Sequence, residues 1–294
     1  MSVLTRDALA ALLGPVTAPG PPAAEVHDEV TCAGYVRRRV SYAVASGRAS
    51  AFVCVPADLT GPAPVVYCHH QHNGEFALGK SEVCGLRGHP DQAYAAELTQ
   101  RGCITIAPDA IGFEDRNWSG DQNITWFELS NRLVHGRTLL ADCLQEISLA
   151  LDYAASLPEA DPGRIGFIGH SYGGRTAMWA PAWDPRIRAS VSNCGCIPYR
   201  DSYSHDTGLQ AEFVIPGFAA SYDVEDVLAL ASQCGFLLIA ADDDRWSRGA
   251  RDIEANLRAR RADHVRVHRV PGGHDFRRPE RELAYDFLEA ALAR

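Results

Sequence analysis

The sequence predicts a doubly wound α/β domain with a mostly parallel sheet, preceded by antiparallel strands, and three observations carry that prediction. From Pro64 onward, short apolar strands alternate with helical segments, as a parallel sheet with helical crossovers requires. The longest of those segments places Leu139, Leu140, Cys143, Ile147, Leu151 and Ala154 at helical spacing. Before the change, Val26 to Pro56 alternates apolar and polar residues around Ser46-Gly47, the pattern of antiparallel strands joined by a tight hairpin. With 294 residues, 46% of them hydrophobic, the chain can bury one full core. We divide it into an N-terminal helix and arm (1–24) and an α/β domain (25–294) with a lid insertion at about 197–222.

In chain order, Met1 to Val16 suits a short amphipathic helix, and Gly14 to Pro22 is a Pro/Gly-rich connector, so the arm should lie on the surface of the main domain and help a homodimer form. The strand Val65 to Cys68 is followed by a helix from Gln92 to Gln100 and a strand from Cys103 to Ala107. The long helix runs roughly Thr138 to Ser156 and leads to the strand Ile165 to Ile168. Then come helix Tyr172 to Ala180, strand Ala189 to Val191, helix Val224 to Ala231, strand Phe236 to Ala240, helix Gly249 to Ala259, strand Val265 to Val270 and helix Pro279 to Leu292. Two irregular stretches, Gly112 to Trp126 and Ile197 to Tyr222, carry aromatics that a solvent loop seldom needs, and are expected to form a lid or pocket walls.

Composition narrows the function. Twenty-eight basic residues stand against 37 acidic ones, and the basic residues are scattered, so nothing attracts a nucleic-acid backbone. No run approaches the roughly 18 apolar residues that would span a membrane, and the N-terminus lacks a convincing signal-peptide cleavage site. The nine cysteines lie mostly within apolar runs and read as buried thiols in a reducing compartment, so a cytoplasmic location is expected. Cys194-Gly195-Cys196 has no second pair at zinc-ligand spacing.

Chemistry concentrates at Gly169-His170-Ser171-Tyr172-Gly173-Gly174, directly after a strand and directly before a helix. This is the setting of a G-x-S-x-G nucleophile elbow, where the turn is too tight for side chains at the glycines and the serine hydroxyl stands clear of the sheet. A serine hydroxyl needs a base, which in this arrangement arrives late in the chain. His274, in the loop Val270-Pro271-Gly272-Gly273-His274, fits that place better than His264 or His268. The carboxylate that fixes the imidazole tautomer should follow a strand between the two. Asp242, Asp243 and Asp244 are the candidates; we choose Asp244, with Asp243 the alternative. Two backbone N–H groups must stabilise the oxyanion. Tyr172 should give one and the loop His69 to Gly74 the other, from His72 or else Gln71. The three imidazoles of that loop have no carboxylate or cysteine at a matched spacing, so no metal and no cofactor are expected.

Taken together, these segments resemble the dienelactone-hydrolase-like and acetyl-xylan-esterase-like branch of the α/β-hydrolase superfamily. The likeness runs from about Pro64 to the C-terminus and includes His70-Gln71-His72, Gly79-Lys80-Ser81-Glu82, Ala107-Pro108-Asp109, the elbow, Ser192-Asn193-Cys194-Gly195, and the Asp244 and His274 segments. The resemblance implies a Ser171–His274–Asp244 triad and a carboxylesterase, some relatives acting on acetylated sugars. It departs at Gln233-Cys234-Gly235, where relatives carry Pro-Arg-Pro, and at Gly112-Phe113-Glu114-Asp115-Arg116, where they carry Gly-Phe-Gly-Glu-Arg.

The expected reaction is attack of Ser171 on a small-molecule ester or thioester, followed by hydrolysis of the acyl-enzyme. Gln71, Trp118, Trp126, Tyr199, Tyr203, His205 and Phe218 are candidates for the pocket, with Glu75, Lys80 and Arg200 as further polar contacts. Two rivals use the same scaffold. An acyltransferase or cyclase would pass the acyl group to another nucleophile, and a binding protein would have lost catalysis; an intact order of serine, acid and histidine argues against the latter.

Overall fold

A computed structural model describes residues 3–16, 23–204 and 207–293, and the side chains of all of these except 203 and 204. Its nine strands form one sheet: β1 (Glu25–Cys32), β2 (Tyr35–Val44), β3 (Gly47–Pro56), β4 (Ala63–His69), β5 (Ile104–Pro108), β6 (Ala160–His170), β7 (Ile187–Asn193), β8 (Gly235–Ala241) and β9 (Val265–Val270). The helices are α1 (Arg6–Leu13), α2 (Lys80–Val83), α3 (Tyr94–Gln100), α4 (Ile124–Val134), α5 (Leu139–Ala155), α6 (Tyr172–Trp183), α7 (Tyr199–Ser204), α8 (Val224–Leu230), α9 (Ala250–Ala259) and α10 (Arg278–Leu292).

The strand order is β1-β2-β3-β5-β4-β6-β7-β8-β9. Pairs from β1 to β5 through β3 are antiparallel, and those from β5 onward are parallel. Alternate residues of each parallel strand face opposite layers: Val65 and Tyr67 of β4 join one core, Val66 and Cys68 the other. The first core takes α1, α5, α6, α8 and α9, and the second takes α2, α3 and α10. This is the α/β-hydrolase architecture with helices on both faces. Within α1, Leu9 and Leu13 are buried, and Thr138 donates through both its N–H and its hydroxyl to the Leu13 carbonyl at 3.0 and 2.9 Å.

Differences from the sequence reading fall in irregular stretches. The antiparallel part has three strands, because Gly34 at φ 83° makes a second turn between β1 and β2. The Gly112 to Trp126 stretch runs into a helix, α4, whose Leu129 packs on Leu139 and Cys143 of α5. Among the described residues no helix is long and apolar enough to cross a membrane.

Strand order also places the site. The connection leaving β4 goes to β5 on one side, and the next goes to β6 on the other, so the loops after β4 and β6 diverge and leave a crevice at the carboxyl ends of the strands. Ser171 follows β6, Asp244 follows β8 and His274 follows β9, so all three come to that end.

Candidate active site

Ser171 sits between β6 and α6 with φ 57° and ψ −113°, a backbone conformation that a side chain tolerates only when its surroundings enforce it. Here glycines do so. A Cβ on Gly169 would lie 2.3 Å from the Gly173 carbonyl carbon, one on Gly173 2.2 Å from the His69 carbonyl oxygen, and one on Gly174 2.5 Å from the Asn193 oxygen. The turn is held by the Ser171 N–H donating to Asn193 O at 2.8 Å. Tyr172 opens α6, so its N–H has no intrahelical acceptor and sits at the positive end of the helix.

The three residues from distant segments are joined by hydrogen bonds. Ser171 Oγ donates to His274 Nε2 at 2.8 Å, and His274 Nδ1 donates to Asp244 Oδ1 at 2.9 Å. The other Asp244 oxygen accepts the Ser247 hydroxyl at 2.7 Å, and Oδ1 also accepts the Trp246 N–H at 3.1 Å. Burial pushes the Asp244 carboxyl up, but the bonds from His274, Ser247 and Trp246 outweigh it and hold the group below the ordinary carboxylate range. Asp244 is therefore ionised beside an imidazole whose Nδ1 keeps its proton and whose Nε2 is left to accept. Asp243 is exposed, and Asp242 pairs with Arg269.

Asn193, at the end of β7, ties the serine loop to the histidine loop. Its Nδ2 lies 2.7 Å from His170 Nδ1 and donates to the Asp275 carbonyl at 2.9 Å. Burial, with His274 nearby, lowers the His170 pKa to about 3, so this ring is neutral and its Nδ1 accepts. The loop after β4 is fixed similarly. His70 Nδ1 donates to Gln71 O at 2.7 Å while its Nε2 accepts the Ala110 N–H at 3.1 Å, and burial takes its pKa down to about 4. Phe113 packs on His70, His72 and Tyr172 with ring centroids 4.8, 5.3 and 5.8 Å apart.

A cleft of about 630 Å³ opens over the serine, lined by His72, Asn73, Gly74, Ser171, Gln210, Asp243, Asp244, Arg245, Trp246 and His274. His72 faces it, whereas the Gln71 side chain turns away and donates to Glu82 at 3.1 Å. Several expected pocket residues do not reach it. Trp118 and Trp126 are 69% and 51% exposed and lie outside the cleft lining, because the chain after Phe113 leaves the crevice to enter α4. Tyr199 is buried in the lid, its hydroxyl donating to Phe213 O at 2.8 Å, and Phe218, also buried, packs on it and on Trp179. Both aromatics seat the lid on α6 instead of meeting a ligand. Lys80 is enclosed by Asp109, Glu114 and Asp115 at 2.6–2.8 Å, and Arg200 is bound to Asp223 and Glu225. Glu75 is exposed outside the cleft lining. The side chain of Tyr203 and all of His205 lie outside the described residues.

Sequence reasoning passed over Gln210, Arg245 and Trp246. Trp246 was findable, since it stands two residues after the chosen acid; its ring centroid is 6.5 Å from that of His274, and the Arg245 and Arg175 guanidinium carbons lie 5.3 and 5.8 Å from its own. Gln210 carried no local signal, because only the lid's path brings it back to the serine.

Residues 81–294 match the dienelactone hydrolase family. Over 255 residues the chain is 29% identical to YtaP, a candidate hydrolase of Bacillus subtilis (strain 168), covering 83% of this chain and 84% of YtaP. Among solved structures it resembles a candidate acetyl xylan esterase from Bacteroides fragilis NCTC 9343, with 17% identity, TM-score 0.70, and 90% and 73% of the two chains covered. A glucuronoyl esterase from Solibacter usitatus is similar too, at 19% identity and TM-score 0.69, with 95% and 88% covered. At those identities the two structures speak for the fold alone; the match over residues 81–294 shows that the chain belongs to the dienelactone hydrolase family.

Proposed function

We propose that this member of the dienelactone hydrolase family is a serine carboxylesterase in which Ser171 is the nucleophile, His274 the general base and Asp244 the residue that orients it. The observation that carries the reading is the unbroken pair of hydrogen bonds, 2.8 and 2.9 Å, from Ser171 through His274 to Asp244. As Oγ attacks the ester carbonyl, its proton passes to His274 Nε2, and Asp244 stabilises the imidazolium. The Tyr172 and His72 amides are assigned to the oxyanion, which a helix N-terminus favours on one side. The imidazolium then protonates the departing alkoxide. A water that gives its proton to Nε2 attacks the acyl-enzyme, releasing the acid and restoring the serine.

The cleft favours a polar alcohol portion, because Asn73, Gln210 and Arg245 offer hydrogen bonds and Trp246 offers an indole face for a ring to lie against. One structural relative is named a candidate acetyl xylan esterase, and a sugar ester with a short acyl group is the substrate class we assign. The His274 side chain is 29% exposed to the cleft, which leaves room for water and favours hydrolysis over transfer. Steady-state release of acetate from acetylated sugars and of p-nitrophenol from short esters tests the reading. Ser171→Ala should lower kcat by on the order of 10⁴–10⁶; a variant within tenfold of the wild type would refute the nucleophile.

A further inference from the structure

Cys194 stands at the exit of β7 with φ 52°, a left-handed conformation that turns its side chain toward the catalytic acid. Its Sγ lies 3.8 Å from the Asp275 carbonyl, and its thiol, an oxygen of Asp244 and a ring nitrogen of His274 all lie within 4.8 Å of one another. We propose that Cys194, Asp244 and His274 form a binding site for a soft divalent cation such as Zn²⁺, and that filling it switches the esterase off. The inhibitory half rests on the function proposed above; the binding half does not.

The donor set, one thiolate, one imidazole and one carboxylate, is of the kind zinc takes, with a fourth position left for water. Bonds of about 2.0–2.3 Å in tetrahedral array put ligand atoms roughly 3.3–3.8 Å apart. The 2.9 Å contact between His274 Nδ1 and Asp244 Oδ1 therefore opens by about half an ångström, and the sulfur closes in by no more than about 1.5 Å. Cys194 is buried, whereas His274 and Asp244 border the cleft. The other three-residue cluster of this kind among the described residues, Asp109, Glu114 and Asp115, already surrounds a cation, the Lys80 ammonium.

Inhibition follows from the tautomer. Before binding, Nδ1 carries the ring proton and Nε2 accepts from Ser171. The metal takes the Nδ1 lone pair, so the ring proton moves to Nε2, which can then only donate and cannot receive the serine proton. Cys194 loses its thiol proton to solvent as the S–Zn bond forms, so one proton is released per ion and nothing is oxidised or reduced.

The test uses the whole protein with Zn²⁺ and Co²⁺ as probes. Zn²⁺ should inhibit ester hydrolysis reversibly, with a chelator restoring it, and Co²⁺ should give a thiolate-to-metal charge-transfer band. In Cys194→Ser the band should vanish and inhibition should weaken on the order of tenfold or more. Cys196→Ser, which alters the neighbouring thiol, should keep both responses. If Cys194→Ser does not fold, His274→Gln serves instead, and it should bind Co²⁺ on the order of tenfold more weakly than the wild type. Absence of the band in the wild type, or equal inhibition in wild type and Cys194→Ser, overturns the site. A wild type that shows the band yet hydrolyses no ester keeps the metal site and refutes the proposed function instead.

Discussion

Removing the Asn193 side chain tests whether the serine and histidine loops are held in register by one residue. Asn193→Ala leaves the backbone bond from Ser171 N–H to Asn193 O in place, since it involves only main-chain atoms. It deletes the donor that serves His170 Nδ1 and the Asp275 carbonyl, at a position with no solvent exposure. The buried His170 Nδ1 left without its donor costs about 1–3 kcal/mol, while the part-buried Asp275 carbonyl keeps the Cys194 thiol at 3.8 Å, so stability should fall by about 1–3 kcal/mol. Asp275 adjoins His274, and a base displaced by about 1 Å can lose on the order of 10²-fold in rate. We therefore expect kcat to drop about 10–100-fold with KM within about threefold, because the cleft residues that bind substrate are untouched. Urea unfolding followed by tryptophan fluorescence gives the first quantity, and steady-state ester hydrolysis at a temperature where the variant is fully folded gives the second. A variant that loses the stability but keeps the wild-type kcat would refute a positioning role and leave Asn193 a purely structural residue.

Three further perturbations have definite expected outcomes. Asp244→Asn should lower kcat by about 10⁴ through loss of the imidazole tautomer, and steady-state kinetics retaining a tenth of the wild-type rate would contradict it. Gly173→Ala sets a methyl 2.2 Å from a main-chain oxygen, so it should cost about 3 kcal/mol or more; a Tm within about 2 °C of the wild type would show that the elbow is looser than described. Burial pushes Glu212, within the lid, up to about 7. Because that lies above the unfolded value near 4.5, the wild type loses stability as pH rises from about 4.5 to 7. Glu212→Gln should then gain about 2.5 kcal/mol more over the wild type at pH 8 than at pH 5 in urea unfolding, and an equal difference at the two pH values would refute the shift.

How far the sequence carried the reading depended on how local each signal was. The β9 strand, Val265–Val270, was legible to the residue, because its alternation is bounded by loop residues on both sides. Ser171 and His274 were legible because glycines that permit no side chain, or that loosen a loop, must stand beside them in the sequence. Asp244 required a choice among three neighbours that only the geometry separates: Asp242 meets Arg269, Asp243 faces solvent, and Asp244 alone meets the imidazole. Trp118, Trp126 and Tyr199 misled for the opposite reason. An aromatic in an irregular stretch is equally suited to a ligand and to packing, and the unforeseen α4 and the seating of the lid on α6 decided against the ligand. Asn193 gave no sign of its role, since a hub that joins two loops exists only after both have been brought to the same end of the sheet.

The most direct measurement is mass spectrometry of the protein after reaction with a fluorophosphonate, beside Ser171→Ala. The account predicts one adduct per chain, mapped to Ser171 and absent from the variant. An adduct on another residue, or none on the folded wild type, would contradict the assignment of Ser171 as the activated nucleophile.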